Sequence, residues 1–327
     1  MRALQIVKYG EIKDSLAFNE VSKPAVKATD ILIEVKAAAI NPIDKSIILG
    51  NLQGLLPIPF PSTSAYDVSG IVVEKGDDVS NFEIGDLVYS RVPQEQMGTI
   101  AEYVAVTSEA VSKKPGNISF EEAAGIPLAG LTALQSLEFA GIKANDRILI
   151  HAGSGGVGSL AIQYAKAKGA YVYTTTSTEN VQWVKELGAD RVIDYKTEDY
   201  KTIVKDVDIV YDTLGQKYTA EAFEVVRKGG QVISVVGPLD GETATMFGMA
   251  DYKLPEELAT LSAEKDASYK FIFMHPNGAH LAEIKTMIED EKIRPIVDTI
   301  YPFAESINAF THLATGRAKG KIVIKIN

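Results

Sequence analysis

A run of glycines near the middle of the chain has the composition of a phosphate-binding loop. The stretch IHAGSGGVGSLAIQYAKAKGA, residues 150–170, places four glycines within six positions directly before a helix-like pattern. Gly155 and Gly156 have no side chains that would block the close approach of a ligand, and Gly158 lies where the helix is predicted to begin. Because backbone N–H groups in the first turn of a helix favour an anion, the loop predicts a phosphate site.

The spacing and context of these glycines are typical of a dinucleotide-binding fingerprint. They fit G-x-G-x-x-G between the strand RILIHA and an apolar helix pattern, and a second strand, YVYTTT, follows. A tight turn in an α/β protein that binds nothing would also contain glycine, but the order of strand, loop, helix and strand favours the fingerprint. We predict that the cofactor contacts Gly153, Ser154, Gly155, Gly156, Val157 and Gly158.

The end of the second strand indicates which nicotinamide cofactor binds. An acidic residue about 20 positions after the glycines would hold the ribose hydroxyl groups and repel a 2′-phosphate. The chain instead has TTST at residues 175–178, whose hydroxyl groups can donate to a phosphate. We therefore predict NADP(H), bound by Thr176 and Ser177. The same segment could cap the next helix, with Thr176 and Glu179 as a capping box, and the Glu179 carboxylate weakens the case for a phosphate.

Composition excludes several classes of function. The 327 residues, 46% of them hydrophobic, can bury a core large enough for two folded units. A net charge of -10 without a cluster of Lys and Arg argues against nucleic acid as a partner. The absence of cysteine excludes disulfides, thiolate nucleophiles and cysteine-ligated zinc. We expect a cytoplasmic protein without a membrane partner, because no signal peptide and no apolar run of about 18 residues is found.

The period of the hydrophobic pattern changes near residue 125. Before this point, short alternating segments such as DILIEVKA and DVSGIVVEKG predict a β-rich, barrel-like unit. Beyond it, helical patterns alternate with six short apolar strands, which indicates an α/β fold with a doubly wound parallel sheet. IRPIVDTIYPF and KGKIVIKIN return to strand patterns and are expected to rejoin the first unit. We predict one domain at 1–124, completed by 293–327, and a second at 125–292.

Several separated motifs resemble one enzyme family over essentially the whole chain. AGSGGVG is similar to the glycine signature of the medium-chain dehydrogenase/reductases. NPIDKSIILG, AYDVSGIVVEKG, IPLAGLTAL, LGADRVIDY and TGRAKGKIVI resemble the zinc-less quinone oxidoreductase branch, and most of all its enone and alkenal reductases. The resemblance implies a GroES-like catalytic domain joined to a Rossmann NADP-binding domain, with the active site in the cleft between them.

The positions that hold zinc in some relatives carry other residue types here. Where zinc-dependent relatives have a cysteine three residues before an aspartate, this chain has Asn41 before Asp44; where they have a His-Glu pair, it has Tyr66 and Asp67. The histidines show no H-E-x-x-H spacing, so we predict no metal site. Without a Lewis acid, the substrate must be a conjugated acceptor, such as a quinone or an α,β-unsaturated carbonyl, that hydrogen-bond donors alone can activate.

The resemblance also implies the catalytic residues. Asn41 resembles the asparagine beside the nicotinamide, and its amide could orient cofactor or substrate. Tyr66 could donate a hydrogen bond or a proton to the developing oxyanion or stack on the substrate; alternatively it packs with its hydroxyl at the surface. Lys45 is a candidate charge donor, although a lysine is more often solvated.

Further cofactor contacts follow from the resemblance and from the strand ends. Thr132 resembles the residue near the nicotinamide amide, and Tyr195 resembles the family's tyrosine beside the adenosine and phosphate end. Asn180 stands where relatives often have a lysine for the 2′-phosphate, so NADH could be partly accepted. Open α/β sheets bind ligands at C-terminal strand ends, which adds Asp212, Leu214, Gly215, Val236 and Gly237. The glycines could equally be turn residues.

Together these features predict an NADPH-dependent reductase of enones, alkenals or quinones that works by hydride transfer. Ser46, where many bacterial quinone reductases have a tyrosine, favours an enone or alkenal over a quinone. Two alternatives remain open: one-electron reduction of quinones at the same site, and a non-catalytic NADPH-binding redox sensor. The expected partner is a small electrophilic carbonyl or quinone, and the sequence leaves a homodimer open.

Overall fold

The N-terminal segment folds mainly into strands, because its apolar residues alternate with polar ones over short runs bounded by Gly, Pro and Asp. A computed structural model describes residues 1–326. Its first elements are β1 (Arg2–Ile6), α1 (Ile12–Ser15), β2 (Leu16–Glu20), β3 (Asp30–Ile40), α2 (Pro42–Ile48), β4 (Ser62–Thr63), β5 (Asp67–Lys75), β6 (Leu87–Arg91), β7 (Tyr103–Thr107), β8 (Val111–Lys113) and α3 (Phe120–Ala124).

The middle of the chain alternates strands with helices. After α4 (Pro127–Phe139) come β9 (Arg147–Ile150), α5 (Gly156–Ala167), β10 (Tyr171–Thr176), α6 (Val181–Lys185), β11 (Arg191–Asp194), α7 (Tyr200–Ile203), β12 (Val207–Asp212), α8 (Lys217–Val225), β13 (Val226–Ser234), α9 (Gly241–Met246), α10 (Glu256–Lys265) and β14 (Ser268–Phe271). These strands form one sheet in the order β11-β10-β9-β12-β13-β14, and every pairing in it is parallel. The predicted doubly wound parallel sheet is confirmed.

The last elements return to the N-terminal sheet. They are α11 (Gly278–Glu289), β15 (Val297–Pro302), α12 (Ser306–Ala314) and β16 (Lys321–Lys325). Strand β16 pairs antiparallel with β3 and parallel with β15, which gives the order β15-β16-β3-β5-β6-β8, with β7 on the other part of β3. A smaller sheet has the order β2-β1-β4. The C-terminal segment thus joins the N-terminal sheet as far as it is described; residue 327 lies outside the described residues.

The chain divides into two compact units, residues 1–131 with 275–327 and residues 132–274. We call them the N-terminal unit and the central unit. The sequence pattern changes at 125 and 293, whereas the division lies at 131 and 274. Helix α11 belongs to the N-terminal unit because Tyr89 Oη donates to the Leu281 carbonyl at 2.6 Å, and a Cβ on Gly278 would lie 2.3 Å from the Val111 carbonyl oxygen.

Candidate functional site

The glycine loop connects β9 to α5 in the central unit and is too tightly packed for side chains at two positions. A Cβ on Gly153 would lie 2.2 Å from Thr174 Oγ1, and one on Gly158 would lie 2.3 Å from the Ala152 carbonyl oxygen. Gly155 is different, because the nearest atom to its Cβ would be 3.4 Å away. Helix α5 begins at Gly156 with Gly155 as its N-cap, so the prediction that it begins at Gly158 is wrong.

The C-terminal end of β10 lies against this loop. The Gly153 amide donates to the Thr175 carbonyl at 2.9 Å, and the Ala152 amide donates to Thr175 Oγ1 at 3.2 Å. Thr176 is buried, and its hydroxyl has no hydrogen-bond partner within residues 1–326. The capping box between Thr176 and Glu179 is thus not formed. A buried hydroxyl without a partner, next to a bare loop, fits an oxygen of a bound cofactor.

The residues after β10 engage one another rather than capping a helix. Asn180 Nδ2 donates to Ser177 Oγ at 3.0 Å, and Asn180 Oδ1 accepts from Trp183 Nε1 at 2.9 Å. Glu179 pairs with Lys196 at 2.9 Å on the surface. The pKa of Glu179 is lowered to about 2 by its own backbone N–H and by Lys196. A carboxylate and an ammonium therefore both border the predicted 2′-phosphate position.

Asp212, at the end of β12, holds the loops that carry the other predicted cofactor contacts. Its Oδ1 accepts from the amides of Leu214 at 3.0 Å and Gly215 at 2.9 Å. Its Oδ2 accepts from Thr219 Oγ1 at 2.6 Å and from Ser234 Oγ at 2.9 Å. The Asp212 carboxylate therefore orders the C-terminal ends of β12 and β13 together.

The pKa of Asp212 reflects these contacts. Burial by itself would raise the pKa, but His151, Thr219 and the Gly215 amide outweigh burial and hold it at about 2. His151 Nδ1 lies 3.6 Å from Asp212 Oδ1, and the His151 carbonyl accepts from Thr213 Oγ1 at 2.8 Å. The loops after β9 and β12 are therefore neighbours at one edge of the sheet.

The remaining predicted cofactor residues lie in the central unit with different exposure. Leu214, Val236 and Tyr195 are exposed, Tyr195 at 58%, while Thr132 on α4 is buried. Gly215 has φ +70°, which favours glycine, and a Cβ on Gly237 would lie 2.7 Å from Tyr269 Oη. Backbone conformation therefore favours glycine at position 215, and close packing favours it at position 237. Contact of either residue with a cofactor stays a prediction.

In the N-terminal unit, Asn41 and Asp67 share a buried network with Lys321. Lys321 Nζ donates to Asn41 Oδ1, to Asp67 Oδ2 at 3.2 Å and to the Ile40 carbonyl at 3.2 Å. Asn41 Nδ2 donates to Asp67 Oδ2 at 2.9 Å. Strand register explains the meeting, since Ile322 pairs with Ile40 and Asp67 pairs with Ala39. Sequence reasoning missed Lys321, because only the pairing of β16 with β3 brings it here.

Asp44 lies beside this network at the start of α2. Its Oδ2 accepts from the Asn41 amide at 2.6 Å, whereas its Oδ1 has no partner in the described part of the chain. Burial raises the pKa of Asp44 to about 7; the Asn41 amide lowers it, Asp67 raises it, and Lys321 and Arg91 lower it. Asp44 is thus a residue of the first turn of α2 and a titratable group near neutrality.

Tyr66 is fully buried, not at the surface. Its hydroxyl donates to Gln94 Oε1, and Arg91 Cζ lies 4.5 Å from the centre of its ring. Burial raises the pKa of Tyr66, so it stays a neutral donor at physiological pH. Arg91 Nε and Gln94 Nε2 have no partners among residues 1–326. Lys45 lies on α2 and is half-buried. Arg91 and Gln94 carry no motif that would have singled them out in the sequence.

Comparison with known proteins gives the family. Residues 27–116 match the family described as Alcohol dehydrogenase GroES-like domain, and residues 187–324 match Zinc-binding dehydrogenase. The chain is similar to 2-methylene-furan-3-one reductase of Solanum lycopersicum, 35% identical over 99% of this chain and 79% of the relative. The chain belongs to the quinone and enone oxidoreductases of the medium-chain dehydrogenase/reductase superfamily.

Other members of this oxidoreductase family are similar over similar lengths. The NADPH-dependent alkenal/one oxidoreductase of Arabidopsis thaliana chloroplasts is 34% identical over 99% of this chain and 79% of the relative. The solved quinone oxidoreductase from Coxiella burnetii superposes with a TM-score of 0.88 at 33% identity, covering 100% of this chain and 99% of that one. The GroES-like and Rossmann folds implied by the sequence are thus confirmed. None of the described helices is both long and apolar enough to cross a bilayer.

The family includes zinc enzymes, but the residues of this oxidoreductase do not fit zinc. Asn41 and Tyr66 stand where zinc-dependent relatives have ligands, and the Lys321 ammonium donates to the oxygens of Asn41 and Asp67 that a cation would need. Within residues 1–326 no three His, Cys, Asp or Glu side chains are grouped to hold a metal ion. A nicotinamide cofactor does fit, because the open Gly155 and the unpartnered Thr176 hydroxyl offer space and a polar contact.

Proposed function

We propose that this oxidoreductase reduces α,β-unsaturated carbonyls, and quinones as a second substrate class, with NADPH as the reductant. The observation that carries the proposal is the pair of buried donors without acceptors in the N-terminal unit, Arg91 Nε and Gln94 Nε2, beside the Tyr66 side chain. Such N–H groups can donate hydrogen bonds to a substrate oxygen on which negative charge develops. Relatives named as reductases of a methylene-furanone and of alkenals and alkenones support the same substrate class.

When bound, NADPH would supply a hydride for the β-carbon of the substrate, and a proton would complete the α-carbon. The chain's own residues then have three tasks. Asn41 donates its free side-chain N–H to the substrate oxygen as charge grows there. Tyr66 remains protonated, because burial raises its pKa; its hydroxyl donates to Gln94 Oε1, and we propose that it turns from Gln94 to the substrate oxygen as a second donor, with solvent delivering the proton. Lys45 is proposed as a more distant positive charge.

The preference for NADPH rests on the residues after β10. Hydroxyl groups of Thr176 and Ser177, and the Lys196 ammonium, can meet a 2′-phosphate, and Asp or Glu is missing from the end of the strand itself. Glu179 opposes this preference by occupying Lys196. We therefore propose NADPH as the preferred cofactor, with partial use of NADH.

The test is a panel of enones, alkenals and quinones assayed with NADPH and NADH in parallel. We expect loss of the reduced-nicotinamide absorbance with at least one enone or alkenal, and faster loss with NADPH. Tight NADPH binding without consumption across the panel would support the redox sensor instead. Trapped semiquinone radicals during turnover would support one-electron reduction.

The glycine loop is tested by Gly155→Val, because the loop leaves room for a Cβ at this position but a ligand would lose its approach. We expect NADPH affinity to fall at least about 100-fold while the melting temperature changes little. Gly241→Val is the matched control, since nothing lies within 4 Å of its Cβ in the same unit. Unchanged NADPH affinity in Gly155→Val would remove the assignment of the loop.

A further inference from the structure

Lys321 carries a positive charge in the interior of the N-terminal unit. The residue is 5% exposed, and its ammonium donates to the Ile40 carbonyl, to Asn41 Oδ1 and to Asp67 Oδ2. An ammonium has three donors and no acceptor, so these three oxygens match it completely. Because a buried charge is costly unless it is paired, Lys321 and Asp67 must be considered together as an ion pair.

The ammonium fixes the orientation of the Asn41 amide. The oxygen and nitrogen of an asparagine side chain are hard to tell apart by shape, and their placement depends on the hydrogen-bond partners. A lysine ammonium can only donate, so the Asn41 atom that faces Lys321 must be the oxygen. The nitrogen is then turned to Asp67 Oδ2, 2.9 Å away. Both neighbours therefore select the same rotamer of the amide.

One N–H of Asn41 is left for a ligand. Asn41 Nδ2 has two hydrogens, and one of them is used by Asp67. The second has no acceptor in the part of the chain that the structure describes, although Asn41 is only 2% exposed. A buried donor without an acceptor is unfavourable, and a carbonyl oxygen of a bound substrate would satisfy it.

We propose that Lys321 is a positioning residue for this oxidoreductase, which orients and polarises Asn41 so that its free N–H donates to the substrate oxygen. The inference rests on the proposed function. In zinc-dependent relatives a metal is held at the positions of Asn41 and Tyr66; here a buried ammonium acts on the oxygen of Asn41 instead. Withdrawal of electron density through this oxygen strengthens the N–H as a donor, since hydrogen bonds in a chain polarise one another.

A purely structural role for Lys321 predicts different behaviour. The ammonium also links β16 to β3 through the Ile40 carbonyl, and loss of this link would weaken the sheet. Such a loss would not depend on whether residue 41 is asparagine. The two roles are therefore separated by asking whether the effect of removing Lys321 disappears when the Asn41 amide is absent.

The kinetic experiment is a double-mutant cycle with Lys321→Met, Asn41→Ala and the double variant, measured on an enone with NADPH. We expect Lys321→Met to lower kcat about 10- to 100-fold, a range typical of weakening one oxyanion donor, with NADPH affinity unchanged. In the Asn41→Ala background we expect no further loss. Equal losses in both backgrounds would overturn the proposal. Lys325→Met, which removes an exposed lysine of the same strand, is the control and should leave kcat unchanged.

A second measurement does not depend on turnover. With ¹⁵N-labelled asparagine, the side-chain amide signal of Asn41 is identified by its loss in Asn41→Ala. We expect Lys321→Met, and Lys321→Gln if the first variant does not fold, to shift this signal, while Lys325→Met leaves it in place. An unmoved signal in a folded Lys321 variant would overturn the positioning role. Failure of the proposed function would appear separately, as absence of turnover in the wild-type protein.

Discussion

Asp44 in α2 and Asp212 at the end of β12 are both almost fully buried, yet burial has opposite outcomes for them. The Asp212 carboxylate accepts four hydrogen bonds, and its pKa lies at about 2. The Asp44 carboxylate accepts one, from the Asn41 amide, and burial raises its pKa to about 7. Burial penalises both charges, and only at Asp212 do His151 and the donors outweigh it and keep the carboxylate ionised.

The two aspartates differ in the hydrogen bonds of their surroundings. In the central unit, Asp212 has protein donors to both carboxylate oxygens and holds the loops after β12 and β13 together. In the N-terminal unit, Asp44 Oδ1, Arg91 Nε and Gln94 Nε2 are without partners within residues 1–326. Native proteins leave few buried polar atoms unpaired, so we expect a substrate or water to complete these three.

The largest change in the free energy of unfolding is expected from Asp212→Ala, which tests whether the Asp212 carboxylate holds the loops after β12 and β13. The substitution removes the acceptor of four donors and leaves the Thr219 hydroxyl without its acceptor in the core. We expect the free energy of unfolding to fall by about 3 to 5 kcal/mol, as when other buried networks are broken. Urea denaturation at pH 7 measures it. A loss below about 1 kcal/mol would mean that the loops are held by other contacts.

A smaller effect of opposite sign is expected from Asp44→Asn. In the unfolded chain the Asp44 carboxyl ionises near pH 3.9, but in the folded chain it ionises only near 7. Between these values the unfolded chain loses its proton first, so the free energy of unfolding decreases as pH rises and becomes constant above about 7. The contribution of the protonated group is fully present only below about pH 4.

Asparagine does not titrate and can still accept from the Asn41 amide. Asp44→Asn is therefore expected to match the wild-type stability near pH 4 and to exceed it at pH 8 by up to about 4 kcal/mol, the equivalent of three pKa units. Urea denaturation at several pH values measures this difference. A difference that does not change with pH would show that Asp44 titrates normally in the folded chain, and the contrast with Asp212 would fail.

The sequence was sufficient for the parts of the molecule that depend on local patterns. Gly153, Gly155 and Gly158 and the alternation of strands with helices predict the parallel sheet and its loop. The networks around Asp212 and Lys321 depend on the register between distant strands. Lys321 meets Asp67 only because β16 and β5 flank β3, a pairing that residue types alone do not specify.

The number of donors to a buried carboxylate likewise could not be predicted. Asp44 lies in the first turn of α2, and its titration near neutrality follows from its burial and from the missing partner of Oδ1. The start of α5 at Gly156 was missed because Gly158 is required by packing against the Ala152 carbonyl, not by the helix end. Close packing is a property of the folded backbone and has no separate signal in the sequence.

The smallest effect concerns the surface of the central unit, where cofactor choice should depend on exposed charges rather than on buried ones. Glu179 pairs with Lys196 at 2.9 Å beside Ser177 and Asn180. Glu179→Gln removes a charge that would repel a 2′-phosphate and releases the Lys196 ammonium. We expect NADPH to bind about 3- to 10-fold more tightly and NADH with unchanged affinity, since exposed ion pairs contribute little.

Titration of both cofactors by protein fluorescence measures this ratio, and salt should reduce the gain because exposed charges are screened. Glu224→Gln is the control, because Glu224 pairs with Lys201 at 3.1 Å on the same unit. Equal changes for NADPH and NADH would show that Glu179 does not face a 2′-phosphate. If the preference for NADPH over NADH changes in Glu179→Gln, an exposed charge determines cofactor selectivity. The buried Asp212 carboxylate, which this substitution leaves in place, then determines only the order of the loops.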